Sequence, residues 1–461
     1  MKTKNNHGFP PVDKQAWIDQ AVKDLKGEDF GRLITKVPEG FSLLPFYTAE
    51  DAASSQWVKY YENRINPPLP DRPPRIWSNT VEITVAPESE MNREILSVLN
   101  NGADGIILGL TGKENLNIIF NTLSTGAAQV WLRPLGEPAA ILRSFLGWFR
   151  NQSHDFSLLH GGILWDSLTE GFKRRIDLEQ QLAQALALFE LSLQFPHFKS
   201  ICLDTAIYHN TGATNVQELG YGMAAFVELM HGLTENGAKP EDIFRDTFVY
   251  TAVGSNFFME LAKLKTYRAG FQQLGELYGV AVKPEDIHLF VASSQWTKSG
   301  IEADNNLIRN TAEAMAAVIG GCNTLFVAPH DNSEEPDNFS KRMARNISLI
   351  LKDECYFDKV MDPSAGSYFV ECLMDALHGH AFGLLKTVEE KGGWWKSYLN
   401  HTIQDDVKKT RLEKFNRVMD ERLTIPGISS ALKIKPAPEA YEEEAYQLKP
   451  IAHSFNLEKS L

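Results

Sequence analysis

The run EADNNLIRNTAEAMAAVIGG, at positions 302–321, holds the densest set of residues that could do chemistry. Glu302, Asp304, Asn305, Asn306, Arg309 and Glu313 supply carboxylates, amides and a guanidinium just ahead of an Ala-rich helical stretch. Carboxylates gathered this way are what general acid–base catalysis needs. The same residue types also begin helices: Asp304 or Asn305 can accept from the first free N–H groups, and Gly320–Gly321 suits the far end. Ala312, Met315, Ala316 and Ile319 share one face at helical spacing and are expected to pack against a neighbouring layer. The position of this helix in the fold decides between a catalytic cluster and a structural helix entrance.

Composition removes several function classes. The four cysteines, Cys202, Cys322, Cys355 and Cys372, have no CxxC spacing, so a disulfide framework or a zinc site is not expected. A formal charge of −13 argues against nucleic acid or an anionic membrane as partner. The first residues, MKTKNNHGFP, lack the apolar stretch of a signal peptide, and no apolar run is long enough to span a bilayer. A cytoplasmic protein without metal is the expectation.

The elements that must position any site are short apolar runs alternating with helical-period segments. Candidate strands are WSNTVEITV (77–85), DGIILGL (104–110), AQVWLRP (128–134), FSLLHG (156–161), KSICLD (199–204), DTFVYTAV (246–253), IHLFVAS (287–293) and NTLFVAP (323–329). Near-continuous apolar runs are the mark of parallel strands covered on both faces. Eight of them alternating with helices such as 178–195 and 256–274 predict a (β/α)8 barrel. A doubly wound open sheet is the alternative, but no GxGxxG follows the first strand. The expected organisation is an arm and extended segment over 1–75, the barrel over 76–375, and a helical extension with a polar tail over 376–461. In such a barrel the 302–321 run follows the seventh strand. Its cluster then sits on a loop of the active face, so the functional reading stays open beside the structural one.

Longer runs resemble a known family. EADNNLIRNTAEAMAAVIGGCNTLFVAPHD and NFSKRMARNISLILKDECYFDKVMDPSAGSYFVE are similar to segments of the methylmalonyl-CoA mutase family. LPFYTAED (44–51), FKSICLDTAIYHNTGATNVQELGY (198–221) and GSNFFMELAKLK (254–265) extend the resemblance, in family order, over about residues 40–380. It implies a barrel threaded by a CoA ester and a separate cobalamin domain whose adenosylcobalamin begins a radical rearrangement.

The sequence departs from the family where its chemistry lies. Catalytic members carry a G-Y-H-x-x-x-A-G-A-T run whose histidine touches the thioester carbonyl. Alignment on Gly212-Ala213-Thr214 sets Ala206 and Ile207 at that Tyr-His pair, leaving Tyr208 and His209 two positions late, about 6–7 Å along a strand. A local bulge would bring His209 back. The I-R-Q-Y segment reads Ile76-Trp77-Ser78-Asn79, so apolar Trp77 and Ile207 are expected to fill the barrel axis. The polar T-x-Q-N-D run is represented by HGGILWD (160–166), whose Gly161 and Gly162 read as turn glycines, with a close backbone approach as the alternative. HSQTSG is replaced by FVASSQ, which keeps Ser293, Ser294 and Gln295. The cobalt-ligating D-x-H-x-x-G motif is absent, and the run from Asp375 to His380 has the wrong spacing.

The resemblance therefore implies no catalytic residue in this chain; His209, Tyr208 and Gln295 are the candidates if it is active. It further implies no cofactor bound here, with adenosylcobalamin carried by a large (alpha) partner, as in heterodimeric members whose small (beta) subunit lacks catalysis. The alternatives are an active acyl-CoA mutase barrel that uses a cobalamin domain from another chain, and a free-standing CoA-binding or regulatory protein.

Overall fold

Eight parallel strands form the frame, all but one built mainly from one of the apolar runs. They are β1 Ser78–Ile83, β2 Gly105–Leu110, β3 Gln129–Pro134, β4 Gly161–Ile163, β5 in two pieces (Phe198–Lys199 and Ile201–Asp204), β6 Thr247–Val253, β7 His288–Ser293 and β8 Thr324–Phe326. This computed structural model describes residues 12–52, 72–124, 126–331, 336–419, 425–426 and 443–452. The first ten residues, most of the proline-rich run NPPLPDRPPR and the start of the tail EAYEEEAYQLKP lie outside the described residues.

Each strand pairs with its sequence neighbour, and β8 returns to β1 through Thr324↔Ser78, so the sheet is a (β/α)8 barrel. Closure runs through β5, whose first piece pairs with β4 and whose second pairs with β6. The break between the pieces falls at Ser200. Its N–H and hydroxyl donate to the buried Asp246 carboxylate, which also takes a hydrogen bond from Ser192 Oγ at 3.1 Å.

β4 begins only at Gly161, the last residue of the FSLLHG run expected to form it. Asp155 accepts from Ser157 N at 3.0 Å and starts a 3₁₀ turn over Phe156–Leu158, which removes those residues from the ladder. The strand uses Gly161 and Gly162 instead, so they are not turn glycines. A Cβ on Gly161, at φ +135°, would lie 1.9 Å from Val130 O, and one on Gly162 would lie 2.5 Å from Lys199 O. Only glycine lets β3 and β5 approach this closely.

The outer helices are α1 Glu88–Asn100, α2 Pro138–Gln152, α3 Leu178–Ser192, α4 Asn215–Glu235, α5 Phe257–Leu277, α6 Asn305–Gly320 and α7 Asn338–Asp353; among the described residues of the β2–β3 connection the one helical stretch is the short turn Leu116–Ile119. α6 turns inward a wider face than its apolar spacing indicates. Ala316 is buried and Met315 and Ile319 pack half-buried on the core as expected, Ala312 is exposed, and Asn306, Asn310, Glu313, Ala317 and Gly320 are buried as well. The polar residues join the buried face because loop carbonyls need donors there: Asn306 Nδ2 donates to Ser299 O and His330 O, and Asn310 Nδ2 donates to Ala328 O, all at 2.8 Å. Asp304 makes no side-chain cap, and the Asn305 amide donates to Glu302 instead. Gly321 ends the helix at φ +102°, as its position indicates.

After the barrel, α8 Tyr368–Glu390 lies across α4 and α5, burying Leu373, Leu377 and Ala381. A Cβ on Gly220 would meet Leu384 Cδ2 at 2.8 Å, so α4 and α8 touch closely. The N-terminal arm, with helix Lys14–Asp24 capped by Asp13, rests on α8 through Phe41 against His380 and Tyr47 against Phe369. α9 Thr402–Met419 and residues 443–452 lie over the C-terminal ends of the strands. Among the described residues, no helix is long and apolar enough to cross a membrane.

Candidate functional site

Side chains alternate across a strand, so parity decides what reaches the barrel axis. Ile107 of β2, Trp131 of β3, Cys202 of β5, Phe248 of β6 and Phe290 of β7 form an interior cluster of their own. The Trp131 ring lies 5.0 Å from Phe248 and 4.8 Å from Phe290, edge-on to the latter, and is fully buried. Tyr250 and Phe326 pack on this cluster from above, while Gln129, His288 and Thr324 link by hydrogen bonds below it. The axis is thus filled, by residues other than those the resemblance pointed to. Trp77 faces outward, its Nε1 donating to Ser348 Oγ of α7 at 2.8 Å, because the even-numbered residues of β1 face inward and Glu82 meets Arg133 across the mouth.

Above the plug, at the C-terminal ends of the strands where barrel active sites are built, lies a cavity of about 310 Å³. Arg133, Asp204, Tyr250, Asp166, Lys173 and Ile207 are among its lining residues. Burial pushes the Asp204 carboxyl up to about 6; Lys173 opposes the rise and Asp166 adds to it. Asp166 is also raised by burial, although its oxygens accept from the N–H groups of Leu168, Thr169 and Asp204. Burial opposes the Lys173 ammonium, but Asp204 and Glu170 outweigh it and hold the group above the ordinary lysine range.

Beside this cavity runs a buried ionic network. Lys263 Nζ of α5 lies 2.7 Å from both Glu218 Oε2 of α4 and Glu260 Oε2, and donates to Ala252 O at 2.6 Å. Glu218 also accepts from Thr251 and, at 3.3 Å, from Thr205. Burial alone would raise Glu218, but Lys263 and His209 prevail and hold it down at about 2. A second pair joins Lys298 Nζ to Glu313 Oε2 at 2.6 Å, with Thr297 donating to the same carboxylate. Glu313, the buried acid of the opening run, is therefore spent on holding the loop after β7.

The sequence candidates divide among these parts. His209 sits in the network: Nε2 is 2.9 Å from Ser294 Oγ, and Nδ1 is 3.5 Å from Glu218 Oε2. A Cβ on Gly254 would lie 2.9 Å from His209 Cε1, so that glycine makes room for the ring. Tyr208 is wholly buried, its hydroxyl accepting from Trp394 Nε1 at 2.9 Å, and burial pushes its phenol well up. Gln295 lines the mouth cavity, and its N–H donates to Asn210 Oδ1 at 2.9 Å. The structure does not bring the three into one cluster. Missed altogether were Glu218, Lys263, Glu260, Arg133 and Asp204. One signal was available: a lysine inside the apolar run of FFMELAKLK must meet a carboxylate if that helix is buried.

The chain's own C-terminal segment borders the mouth, which stays open beside the exposed Lys173 and Leu135. Ile451 N donates to Asn210 O at 2.9 Å and Leu448 N to Phe172 O at 3.2 Å, both side chains are buried, and Pro450 lines the cavity. α9 is fastened beside it by Lys414 Nζ on Ala213 O at 2.8 Å, Phe415 against Trp296, and Tyr221 and Gln217 on Asp406. Among the described residues, no group of three or more His, Cys, Asp or Glu is placed to hold a metal ion.

A (β/α)8 barrel whose ionisable groups gather at its C-terminal face is an enzyme-type scaffold. Comparison with known proteins narrows the class. The family described as Methylmalonyl-CoA mutase matches residues 100–446. A methylmalonyl-CoA mutase small subunit from Porphyromonas gingivalis is 32% identical over 435 residues, covering 90% of this chain and 69% of the relative. Its namesake from Streptomyces virginiae is 26% identical, covering 94% and 73%. The human mitochondrial methylmalonyl-CoA mutase is 25% identical, covering 86% of this chain and 57% of its own. The chain belongs to the methylmalonyl-CoA mutase family.

Proposed function

We propose that this chain is the non-catalytic small subunit of a heterodimeric methylmalonyl-CoA mutase. It would support a large subunit that carries adenosylcobalamin and interconverts methylmalonyl-CoA and succinyl-CoA. The observation that carries this reading is the axial plug. A thioester threaded through the barrel needs an open lumen, and Trp131, Phe248 and Phe290 fill it with stacked rings.

The C-terminal face supports the same conclusion. Residues 448–451 and α9 narrow the space beside the mouth, and His209 is committed to Ser294 and Glu218. The residues present do not fit a bound adenosylcobalamin there, and no catalytic step is assigned to this chain. Association finds support in the arm. None of residues 12–52 is buried, and Phe46 stacks on Trp17 at 4.8 Å while 40% exposed, leaving apolar rings for a partner. The names of the Porphyromonas and Streptomyces relatives agree with this role.

The test is co-expression with a full-length catalytic mutase chain, followed by assay of each component and of the complex. A stable heterodimer with one cobalamin is expected, with turnover in the complex and in the large subunit's site alone. Two cobalamins per heterodimer, or turnover by this chain in isolation, would overturn the reading.

A further inference from the structure

The outer layer of the barrel is thin at one place. A barrel of this type follows each strand with a helix, but the described residues between β2 and β3 form only the short turn Leu116–Ile119. The outer faces of β2 and β3 meet α2 across a gap instead of a packed layer. A cavity of about 290 Å³ lies in that gap. Ile106 of β2 and Val130 of β3 form its floor, and Phe120, Phe145, Trp148 and Phe149 line it from the end of the turn and from α2.

The ring walls are held in place. Phe120 stacks on Trp148 at 4.5 Å, and the two rings stand 6.0 Å and 5.9 Å from Phe145. Trp148 Nε1 donates to Asn117 Oδ1 at 3.0 Å, which fixes the indole. Phe145 and Phe149 are buried, Phe120 and Trp148 half-buried and Gln152 exposed, so the cavity opens to the surface beside Gln152. Gln152 Nε2 donates to Asn117 Oδ1 at 3.4 Å, while its Oε1 accepts no hydrogen bond among the described residues.

Size and lining together select an occupant. An apolar cavity of about 150 Å³ stays dry and takes benzene, so one nearly twice as large has room for two fused rings. A flat ring gains from ring walls beyond the area it buries, whereas an alkyl chain gains burial alone. A hydroxyl or N–H on the outer edge of such a molecule would meet Gln152 Oε1. A charged ligand is disfavoured, because no charged side chain among the described residues lines the cavity to meet it.

We propose that this cavity is a binding site for a flat, uncharged two-ring molecule that carries one hydrogen-bond donor. It lies on the outer side of β2 and β3, away from the axial plug and the mouth, and this chain alone supplies it, with or without a partner.

The test is titration of the full chain with 2-naphthol, followed by naphthol fluorescence. Saturable binding with a Kd on the order of 0.1 mM is expected for a fitting ligand of this size. The charged analogue 2-naphthoate should bind at least about tenfold more weakly. Val130→Phe, which adds a ring from the floor, should abolish binding. Gln152→Leu should weaken it about fivefold through the lost hydrogen bond, and its exposed position keeps this variant readable even where Val130→Phe does not fold. No saturable binding to the parent chain, equal binding of the naphthoate, or equal affinity in the parent and either folded variant would overturn the site. So would binding that vanishes in the complex with a catalytic mutase chain, because the cavity would then belong to the contact between subunits.

Discussion

Replacing Trp131 by alanine tests the filled axis most directly. The indole is fully buried and touches Phe248, Phe290 and His288 at ring separations of 4.8–5.2 Å. Its removal leaves a void of about 140 Å³, which at about 24 cal/mol per Å³ costs about 3 kcal/mol. The lost ring contacts add about 1 kcal/mol, because aromatic pairs contribute beyond the area they bury. Trp131→Ala should therefore lose about 4 kcal/mol in urea titration followed by circular dichroism. Trp131→Phe should lose about half as much, since it keeps one ring in the stack. The void is apolar, so indole added to Trp131→Ala should restore part of the stability, as small aromatic molecules enter dry engineered cavities. A loss below about 1 kcal/mol, with no response to indole, would show that the axis is not packed as described.

Lys263→Met leaves the Glu218 and Glu260 carboxylates buried without their cation, and should cost about 3–5 kcal/mol by the same titration; a change within 1 kcal/mol would refute the network's role. The acid limb of stability gives a second check. Glu218 is held at about 2 against an ordinary 4.5, so it stabilises the fold fully above about 4.5 and loses that contribution as pH falls toward 2. The stability gap between the parent and Glu218→Gln should therefore shrink over that interval, and a constant gap would count against the shift.

Much of the fold was legible because strand content depends on local apolar runs. Six of the strands fall within the runs marked for them, β5 begins one residue early at Phe198, and only β4 moved. It moved because Asp155 caps a turn and because β3 and β5 approach so closely that two glycines must lie between them, a requirement set by strands distant in sequence. The α6 face was read too narrowly for a related reason: Ala316, Met315 and Ile319 face the core as their spacing indicates, but Asn306 and Asn310 also turn inward to meet carbonyls of the loops after β7 and β8, which periodicity does not register. The site was less legible still. Glu218 and Lys263 stand 45 positions apart and become partners only when α4 and α5 meet. The plug was present as Trp131 in QVWLRP, Phe248 and Tyr250 in TFVYTAV and Phe290 in HLFVAS, yet which parity faces inward follows only from closure of the barrel.

That closure sets a schedule during synthesis. β1 finds β2 early, but its other edge pairs with β8, about 250 residues later. At roughly 5–20 residues per second the wait is about 12–50 s. Through that interval one edge of β1 offers unpaired N–H and C=O groups, and Trp77 has not met Ser348. A nascent chain in that state is a template for strand pairing with its neighbours, so the yield of this protein in a cell should depend on chaperone capacity more than on the stability of the finished barrel.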